Sequence, residues 1–331
     1  MVRIAIAGGS GNVGREILDA LVARGKHEIL ILSRKDDTAT DFGPGVKWVT
    51  TNYNDIAQLT QVLEGVHTVL SFVAGPVDPT NVAQRDTQKN LINASIKAGV
   101  RRFAPSEWAS SKLEHMFWYG FKEETRKYLA AINKDKKVLE YCLFQPGLFT
   151  NYMTYPFSSS KHVQLFETPF NFHQRRALVV DGGEDAIITF TTAQDLARVV
   201  ALAVEYEGEW PLIGGVQGAQ VSVAQLIALG EKIRGGPFDV TKLKSDDLKA
   251  GRVKAPWFPK VEHPSIPPET LDAVAPSLLS GMLQGIVAGN LECSDEWNRL
   301  LPEYEFTQPE DFLTTAWAEI DAGAMTVFTS Y

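Results

Sequence analysis

A glycine-rich turn near the start of the chain constrains the fold more than any other feature. The string GGSGNVG, residues 8–14, follows the apolar segment RIAIA at Arg3–Ala7 and runs into an amphipathic stretch at Asn12–Arg24. Apolar side chains in that stretch recur at three-to-four spacing, which predicts a helix with one buried face. The chain is therefore predicted to open with a strand, a tight turn and a helix, as a parallel α/β unit does.

Short apolar runs and amphipathic stretches alternate over the rest of the first half. Strands are predicted at 28–32, 46–50, 68–73, 102–104 and 138–144, and helices at 54–63, 80–97 and 122–133. Strands separated by helices imply a parallel sheet covered on both faces. The predicted fold class is α/β, a Rossmann-type doubly wound parallel sheet with a smaller C-terminal substrate lobe.

The glycine turn has the residue types that a dinucleotide pyrophosphate needs. One glycine allows the tight turn, the next lets the backbone approach the pyrophosphate, and the last lets helix and sheet pack closely. The helix N-terminus adds unpaired N–H groups and a partial positive charge. The alternative is a tight turn with a structural role only. The predicted cofactor contacts in the turn are Gly8, Ser10, Gly11, Asn12, Val13 and Gly14.

The end of the second strand predicts which dinucleotide binds. NAD-selective sites place an acidic residue there, whereas this strand continues into Ser33, Arg34 and Lys35. A guanidinium can hold a 2′-phosphate through two hydrogen bonds, and a lysine adds a second charge. The alternative is that Arg34 and Lys35 form a solvated basic pair at the strand end. Asp36 and Asp37, which follow, would then partly offset its charge. These residues favour NADP(H) over NAD(H).

Composition excludes several classes of function. The formal net charge is −8, which argues against a nucleic-acid partner because phosphate binding leaves a basic footprint. Cys142 and Cys293 lie far apart without metal-ligand spacing, so neither a disulfide framework nor a metal site is expected. No stretch approaches the ~20 apolar residues of a membrane span. We expect a cytoplasmic protein, a monomer or homodimer, with a small-molecule partner.

The sequence changes character after Pro146. Residues 152–176 are rich in aromatic side chains and have no clean period, and further strands are predicted at 177–180 and 188–192. Helices are predicted at 193–206, 223–233 and 271–288, with a proline-rich loop at 255–268. We predict an NADP-binding Rossmann domain over residues 1–150 and a substrate-binding lobe over 151–331, some segments of which return to the Rossmann sheet.

Two further segments carry a resemblance to a known family. FAPSEW at 103–108 ends a predicted strand, and YGFKEETR at 119–126 opens the next helix. With the GxxGxxG turn, they resemble the NmrA-like group of atypical short-chain dehydrogenases, especially its isoflavone reductase and phenylcoumaran benzylic ether reductase branch. The resemblance covers roughly residues 3–154 and is weaker at 187–190 and 195–198. It is most specific in the glycine turn, the PSE segment and the lysine that opens the following helix.

The resemblance implies a Rossmann domain, NADPH as the reductant and a catalytic lysine, which is Lys122 here. Lys122 would also contact the cofactor. It further implies that Ser71, Phe72 and Val73 lie beneath the adenine–ribose half, and that Gln145, Pro146 and Gly147 border the nicotinamide. An ordinary lysine pKa of ~10.4 is too high for a base at neutral pH, so burial or nearby cations would have to lower it. The alternative is a surface lysine that pairs with neighbouring charges.

Tyr119 is a second catalytic candidate that departs from the ordinary short-chain dehydrogenase pattern. In that pattern Tyr-x-x-x-Lys places a phenol four residues before the lysine, whereas Tyr119 lies three residues before Lys122 with Gly120 between them. Tyr119 remains a possible proton donor. The aromatic segment HMFWYGFK at 115–122 also differs from these reductases, which leaves their own substrates in doubt for this chain.

Aromatic residues predict a pocket for a flat apolar ligand. The residues predicted to contact substrate are Trp108, Phe149, Tyr152 and Tyr155. Phe157, Phe166, Phe170 and Phe172 fall in the same stretch and belong either to this pocket wall or to the core of the lobe.

Three functions agree with this sequence. The leading hypothesis is an NADPH-dependent reductase of a small aromatic or conjugated, secondary-metabolite-like substrate. A second is a redox-sensing regulator that binds the dinucleotide without turnover, as NmrA-type proteins do. A third is a biosynthetic enzyme of this fold that couples reduction to cyclisation or replaces it by cyclisation.

Overall fold

The computed structural model describes residues 1–36, 40–75, 82–261 and 268–328, with the backbone alone for 82–85 and 268. The strands are β1 Arg3–Ala7, β2 Glu28–Ser33, β3 Val46–Thr50, β4 Thr68–Ser71, β5 Arg102–Ala104, β6 Glu140–Tyr141, β7 Leu143–Gln145, β8 Leu148–Phe149, β9 Phe170–Asn171, β10 Arg176–Val180, β11 Ile187–Thr191, β12 Ile213–Gly215, β13 Ala219–Ser222 and β14 Asp239–Leu243. The α-helices are α1 Asn12–Arg24, α2 Ile56–Val62, α3 Val82–Lys97, α4 Gly120–Ile132, α5 Ala193–Glu205, α6 Val223–Arg234, α7 Ser245–Lys249, α8 Leu271–Val287, α9 Glu296–Leu300 and α10 Pro309–Asp321. Short 3-10 helices lie at Phe117–Tyr119, Thr150–Thr154 and Pro268–Thr270.

The main sheet has six parallel strands in the order β3-β2-β1-β4-β5-β6. This is the doubly wound order of a Rossmann sheet, so the predicted fold class is confirmed. The chain reverses direction across the sheet between β1 and β4, which is where ligands bind at the carboxyl ends of the strands. Ala7 pairs with both Leu32 and Ser71, so the residues that follow these three strands meet at one edge.

Apolar residues on both faces explain why β1 and β2 form strands in the middle of this sheet. Ile4 and Ile6 belong to a core on one face, whereas Ala5 and Ala7 belong to a core on the other. The small alanines allow helices to approach closely, and helix α1 packs on one side against α5. Both faces are covered, as a parallel sheet requires.

The prediction of one strand over 138–144 is wrong. The segment forms two strands, of which β6 pairs with β5 in the main sheet and β7 pairs with β12 instead. The break lies at Cys142, whose amide still bonds Phe103, whereas the Leu143 amide donates to Leu212 at 2.9 Å. The apolar run indicated burial, but only tertiary pairing decides which partner each half takes.

Smaller sheets build the second lobe, in the orders β14-β10-β9, β13-β11-β8 and β12-β7. Helices α5, α6 and α8 match their predicted ranges within about two residues. Helix α10 was not predicted, although it has Pro309 in its first turn followed by Glu310 and Asp311, which are start signals. The predicted start of α3 at Thr80 and residues 262–267 of the proline-rich loop lie outside the described residues.

Over the described ranges, the helices are all too short or too polar to cross a membrane. The proposed boundary near residue 150 stays a prediction. One core contains Ile17 of α1 together with Leu196 of α5, so residues from both halves of the chain share it.

Candidate functional site

The glycine turn closes tightly against the end of β4. Gly8 has φ +79°, and a Cβ there would lie 3.0 Å from the carbonyl oxygen of Phe72. A Cβ on Gly14 would lie 2.6 Å from the Gly8 carbonyl oxygen, whereas one on Gly11 would meet only that oxygen at 3.5 Å. Gly8 and Gly14 are therefore required by close packing, and Gly11 is not.

The start of α1 is built to receive an anion. Gly11 is the N-cap and has no side chain to accept from the first turn, which also contains no acidic residue. Within the described structure the amides of Asn12, Val13 and Gly14 have no partner, because the first helical bond joins the Arg15 amide to Gly11. Ser10 and Gly11 are exposed. Free amides at the positive end of a helix fit a pyrophosphate, so this turn fits a dinucleotide.

The end of β2 presents two free cations beside this turn. Arg34 and Lys35 are exposed, and neither side chain has a hydrogen bond or ion pair among the described residues. Ser33 holds the local backbone, since its Oγ accepts from the Lys35 amide at 3.1 Å. The carboxylate of Asp36 instead accepts from the Thr50 hydroxyl at 2.5 Å. Asp36 is thus engaged elsewhere, and Asp37 lies outside the described residues.

The residues at the end of β4 pack against the glycine turn, and the predicted contact of Ser71, Phe72 and Val73 with the adenine–ribose half stays a prediction. The Phe72 amide donates to Ala7 at 2.7 Å, and the ring of Phe72 would be 3.2 Å from a Cβ on Gly14. Ser71 is buried and its hydroxyl donates to Gln88 of α3 at 2.9 Å. Val73 follows with its amide 3.5 Å from the Ser71 hydroxyl. This segment therefore forms the floor of the crevice between β1 and β4.

Lys122 is a buried lysine on the first turn of α4, with 6% of its surface exposed. Its Nζ donates to the carbonyl oxygen of Ser106 at 3.1 Å and to that of Glu107. It also lies 4.6 Å from the ring centre of Tyr119 and 5.4 Å from that of Phe121. The ammonium has a third hydrogen with no protein acceptor in the described structure. The alternative of a solvated surface lysine does not agree with this burial.

The surroundings of Lys122 change its basicity. Burial lowers the pKa of Lys122 to about 8, the carboxylate of Glu107 opposes this, and the guanidinium of Arg126 adds to it. A lysine in this range exchanges its proton near neutral pH, as an acid–base group in a reaction must. Burial is the dominant cause, since the charged form loses hydration.

Glu107 and Arg126 form a buried ion pair beside this lysine. The Arg126 Nε donates to Glu107 Oε1 at 3.0 Å, and its Nη2 donates to the same oxygen. Glu107 is 1% exposed. Sequence reasoning singled out the PSE segment but gave Glu107 no role, and it counted Arg126 among the charges of a solvated helix face. The signal available was the spacing of Lys122 and Arg126, which places them on one helix face.

Tyr119 lies beside Lys122 at the end of the preceding 3-10 helix. Burial raises the pKa of Tyr119, and the Glu107 carboxylate adds to the effect. Burial also raises the pKa of Tyr152, with a contribution from Tyr119, so the two phenols are neighbours. The structure thus brings Lys122, Tyr119 and Tyr152 together, although their roles stay predictions.

The aromatic residues predicted to contact substrate divide between cleft and core. Tyr152 lies against Phe149 at 5.8 Å and Phe166 at 4.2 Å between ring centres. Tyr155 follows in the same 3-10 segment, where its amide donates to Tyr152 at 3.2 Å. Phe170 and Phe172 are buried in the core of the second lobe instead. The core alternative therefore applies to these two rings.

Trp108 has φ +42° and stands in an aromatic stack at the end of β5. Its ring lies 4.5 Å from Phe72 and 5.2 Å from Phe144 between ring centres. Its indole N–H donates to the Ser71 carbonyl oxygen at 2.7 Å, so this donor is already used. Any substrate contact by Trp108 would use its half-buried ring.

Gln145, Pro146 and Gly147 form a turn at the end of β7, and their predicted place beside the nicotinamide stays a prediction. Gln145 is buried, and its Nε2 has no hydrogen-bond partner in the described structure. The Gly147 amide donates to Ala109 at 3.0 Å, which joins this turn to the segment after β5. A Cβ at Gly147 would overlap the carbonyl oxygen of Thr189. The turn is thus fixed against both neighbouring strands.

Helix α8 and the turn that follows it brace the segment that leads to Lys122, which sequence reasoning missed. Asn290 Nδ2 donates to the Glu114 carbonyl oxygen at 2.6 Å, and the Asn290 carbonyl oxygen accepts from the Ser111 amide at 2.9 Å. A Cβ on Gly281 of α8 would lie 2.9 Å from Trp118. No local pattern near residue 115 could have identified partners so distant in sequence.

Comparisons with known proteins agree with this site. A family model described as NAD(P)H-binding matches residues 8–155. Oxidoreductase BOA1 of Botryotinia fuckeliana is 30% identical over an alignment of 241 positions that covers 71% of this chain and 77% of that protein. Oxidoreductase swnN of Metarhizium robertsii is 26% identical over an alignment of 357 positions that covers 96% of this chain and 98% of that protein.

Among solved structures, AtPrR2 with NADP+ and (+)pinoresinol has a TM-score of 0.67 at 18% identity, covering 95% of this chain and 98% of that one. That likeness shows the fold. The glycine turn, the free helix N-terminus and the buried lysine fit a dinucleotide-dependent redox site on this fold. The chain is an NAD(P)H-binding oxidoreductase that belongs to the NmrA-like, isoflavone reductase-like family of atypical short-chain dehydrogenases.

Proposed function

We propose that this chain is an NADPH-dependent reductase of a small aromatic or conjugated metabolite, with Lys122 as the group that handles the proton. The observation that carries the proposal is the placement of Lys122. It is buried at the carboxyl edge of the sheet, held by two carbonyl oxygens and next to two aromatic faces. A third N–H remains for a ligand oxygen.

The choice of NADPH rests on Arg34 and Lys35. Both side chains are exposed beside the glycine turn without protein partners in the described structure. The carboxylate of Asp36, the next residue in the sequence, accepts a hydrogen bond from the Thr50 hydroxyl. A free guanidinium there suits a 2′-phosphate. The dinucleotide supplies the hydride when bound.

The residues of this chain supply orientation and the proton. Lys122 is mostly protonated below about pH 8, so at neutral pH it can donate to an oxygen on which negative charge develops. Tyr119 lies against it and is a second donor. Tyr152 and Phe166 offer ring faces on which a flat substrate can stack, whereas Phe149, also predicted to contact substrate, is buried in the core beside Tyr152. The aromatic ligand of the AtPrR2 structure supports this substrate class.

The test is turnover by purified protein and by Lys122→Met. Aromatic carbonyls, quinones and conjugated aryl alkenes are incubated with NADPH, and both nucleotide oxidation and product are measured. We expect stoichiometric reduction by the wild type and at least a hundredfold less by Lys122→Met at saturating NADPH. Product formed without NADPH consumption would instead support the cyclisation alternative. Full NADPH affinity with no turnover of the panel, and a partner protein whose binding depends on the nucleotide's redox state, would support a regulator.

A further inference from the structure

The segment that leaves β5 is held by two cations from one face of α4. Lys122 donates to the carbonyl oxygens of Ser106 and Glu107. Arg126, one helical turn later, donates to the carbonyl oxygens of Ser110 and Ser111, each at 3.0 Å. The proposed reactive lysine and this arginine therefore fix the same short segment, and each depends on its conformation.

Glu107 is the residue that both cations share. Its backbone carbonyl oxygen accepts from Lys122, and its carboxylate accepts two N–H groups of Arg126. The carboxylate is almost fully buried, and its Oε2 has no hydrogen-bond partner in the described structure. A buried carboxylate with one unused oxygen is held here by its charge pairing with Arg126.

Charge balance in this region depends on that one carboxylate. The charged or titratable groups that act on Lys122 are Glu107, which favours its proton, and Arg126, which disfavours it. Tyr119 lies against the ammonium with its ring face, and its pKa is raised, so it stays neutral. Without Glu107, the buried Lys122 and the partly buried Arg126 would stand one helical turn apart without that counterion.

We propose that Glu107 is a positioning residue for Lys122: its backbone holds the ammonium in place, and its carboxylate, paired with Arg126, keeps that ammonium protonated. The inference rests on the proposed function only in assigning Lys122 to proton handling. It gives the acidic residue of the PSE segment a physical role that the fold alone does not require.

The test measures the titration of Lys122 in the protein without nucleotide or substrate. Lysines are labelled with 13C at Cε, and the Lys122 signal is identified by its absence in Lys122→Met. The variants are Glu107→Gln, Arg126→Gln and the double variant. The matched control is Glu140→Gln, which removes the carboxylate of the Arg102–Glu140 pair, at 2.8 Å, at the amino ends of β5 and β6.

Midpoints that move in opposite directions are the expected result. Glu107→Gln should lower the titration midpoint of Lys122, Arg126→Gln should raise it, and the double variant should return towards the wild type. A midpoint that moves down by a full pH unit raises the ratio of neutral to charged lysine at pH 7 about tenfold. Glu140→Gln should destabilise the protein and leave the Lys122 signal unmoved. A purely structural role would leave the midpoint in place, or move it in the same direction with each loss of stability, and would overturn the inference.

The titration midpoint of Lys122 and the reduction of substrate are measured separately, so the inference and the proposed function can fail independently. If Glu107→Gln does not fold, the higher midpoint in Arg126→Gln still tests the pairing, and its absence would contradict it. If the midpoints move in opposite directions but no substrate is reduced, the positioning role stands and the proposed function fails. If substrate is reduced but the midpoints do not move, the positioning role fails alone.

Discussion

The side-chain oxygen of Gln88 accepts a hydrogen bond from the Ser71 hydroxyl at 2.9 Å, which ties α3 to the carboxyl end of β4. The same oxygen accepts from the Ser106 amide at 3.3 Å, at the end of β5. Since a backbone amide can only donate, the orientation of the Gln88 amide is fixed. One side chain thus joins the floor of the crevice to the segment that holds Lys122.

Gln88→Met should separate these two strand ends. The variant leaves the buried Ser71 hydroxyl and the partly buried Ser106 amide without this acceptor, which costs about 1–3 kcal/mol. We expect a lower free energy of unfolding by urea and weaker NADPH binding. Gln88→Glu retains an acceptor oxygen and should lose less of both. Equal loss in the two variants would show that the acceptor oxygen is not what matters.

The pH dependence of the reduction rate should follow the titration of Lys122. Because burial lowers its pKa to about 8, the ammonium is present below that pH and lost above it. With Lys122 as proton donor, the rate of a single turnover at saturating NADPH should be level near pH 6.5–7 and fall about tenfold per pH unit well above pH 8. A decline that begins only near pH 10 would mean that this lysine is not the group that titrates.

The pH dependence of the free energy of unfolding should reflect the lowered pKa of Lys122 independently of activity. Its pKa in the folded protein lies below the ordinary value of 10.5, so the unfolded chain binds more protons between about pH 8 and 10.5. Stability contributed by this site therefore rises with pH through that window. The free energy of unfolding of the wild type should gain on that of Lys122→Met as pH is raised from 8 to 10. An unchanged difference would contradict a buried ammonium.

Arg34→Ala should weaken NADPH binding and leave NADH binding nearly unchanged. The exposed guanidinium can make charge-assisted hydrogen bonds to the 2′-phosphate, and their loss costs about 1–3 kcal/mol. Calorimetry with both nucleotides measures the difference. Lys47→Ala is the control, because this exposed cation pairs with Glu28 at 2.9 Å and faces no part of the glycine turn. Equal weakening of NADPH and NADH would place Arg34 outside the phosphate site.

A pair of glycine substitutions should separate packing from chemistry in the turn. Gly14→Ala places a methyl group 2.6 Å from the Gly8 carbonyl oxygen, so the turn must open, and stability and NADPH affinity should both fall. Gly11→Ala meets only that oxygen, at 3.5 Å, and should keep nearly wild-type stability. Thermal unfolding distinguishes them. Similar melting temperatures for the two variants would contradict the close contact at Gly14.

The parallel α/β class, the glycine turn and the bounds of four elements could be predicted from the sequence alone, because these features follow from local periodicity and backbone preference. The four elements are β1, α1, β3 and β5. The sequence also pointed to Lys122, but through a resemblance. Which residues surround that lysine became visible only in the three-dimensional structure. Glu107 and Arg126 pair over 19 positions, and Asn290 reaches Glu114 over 176. Such contacts depend on how layers of the fold pack, and no local pattern encodes them.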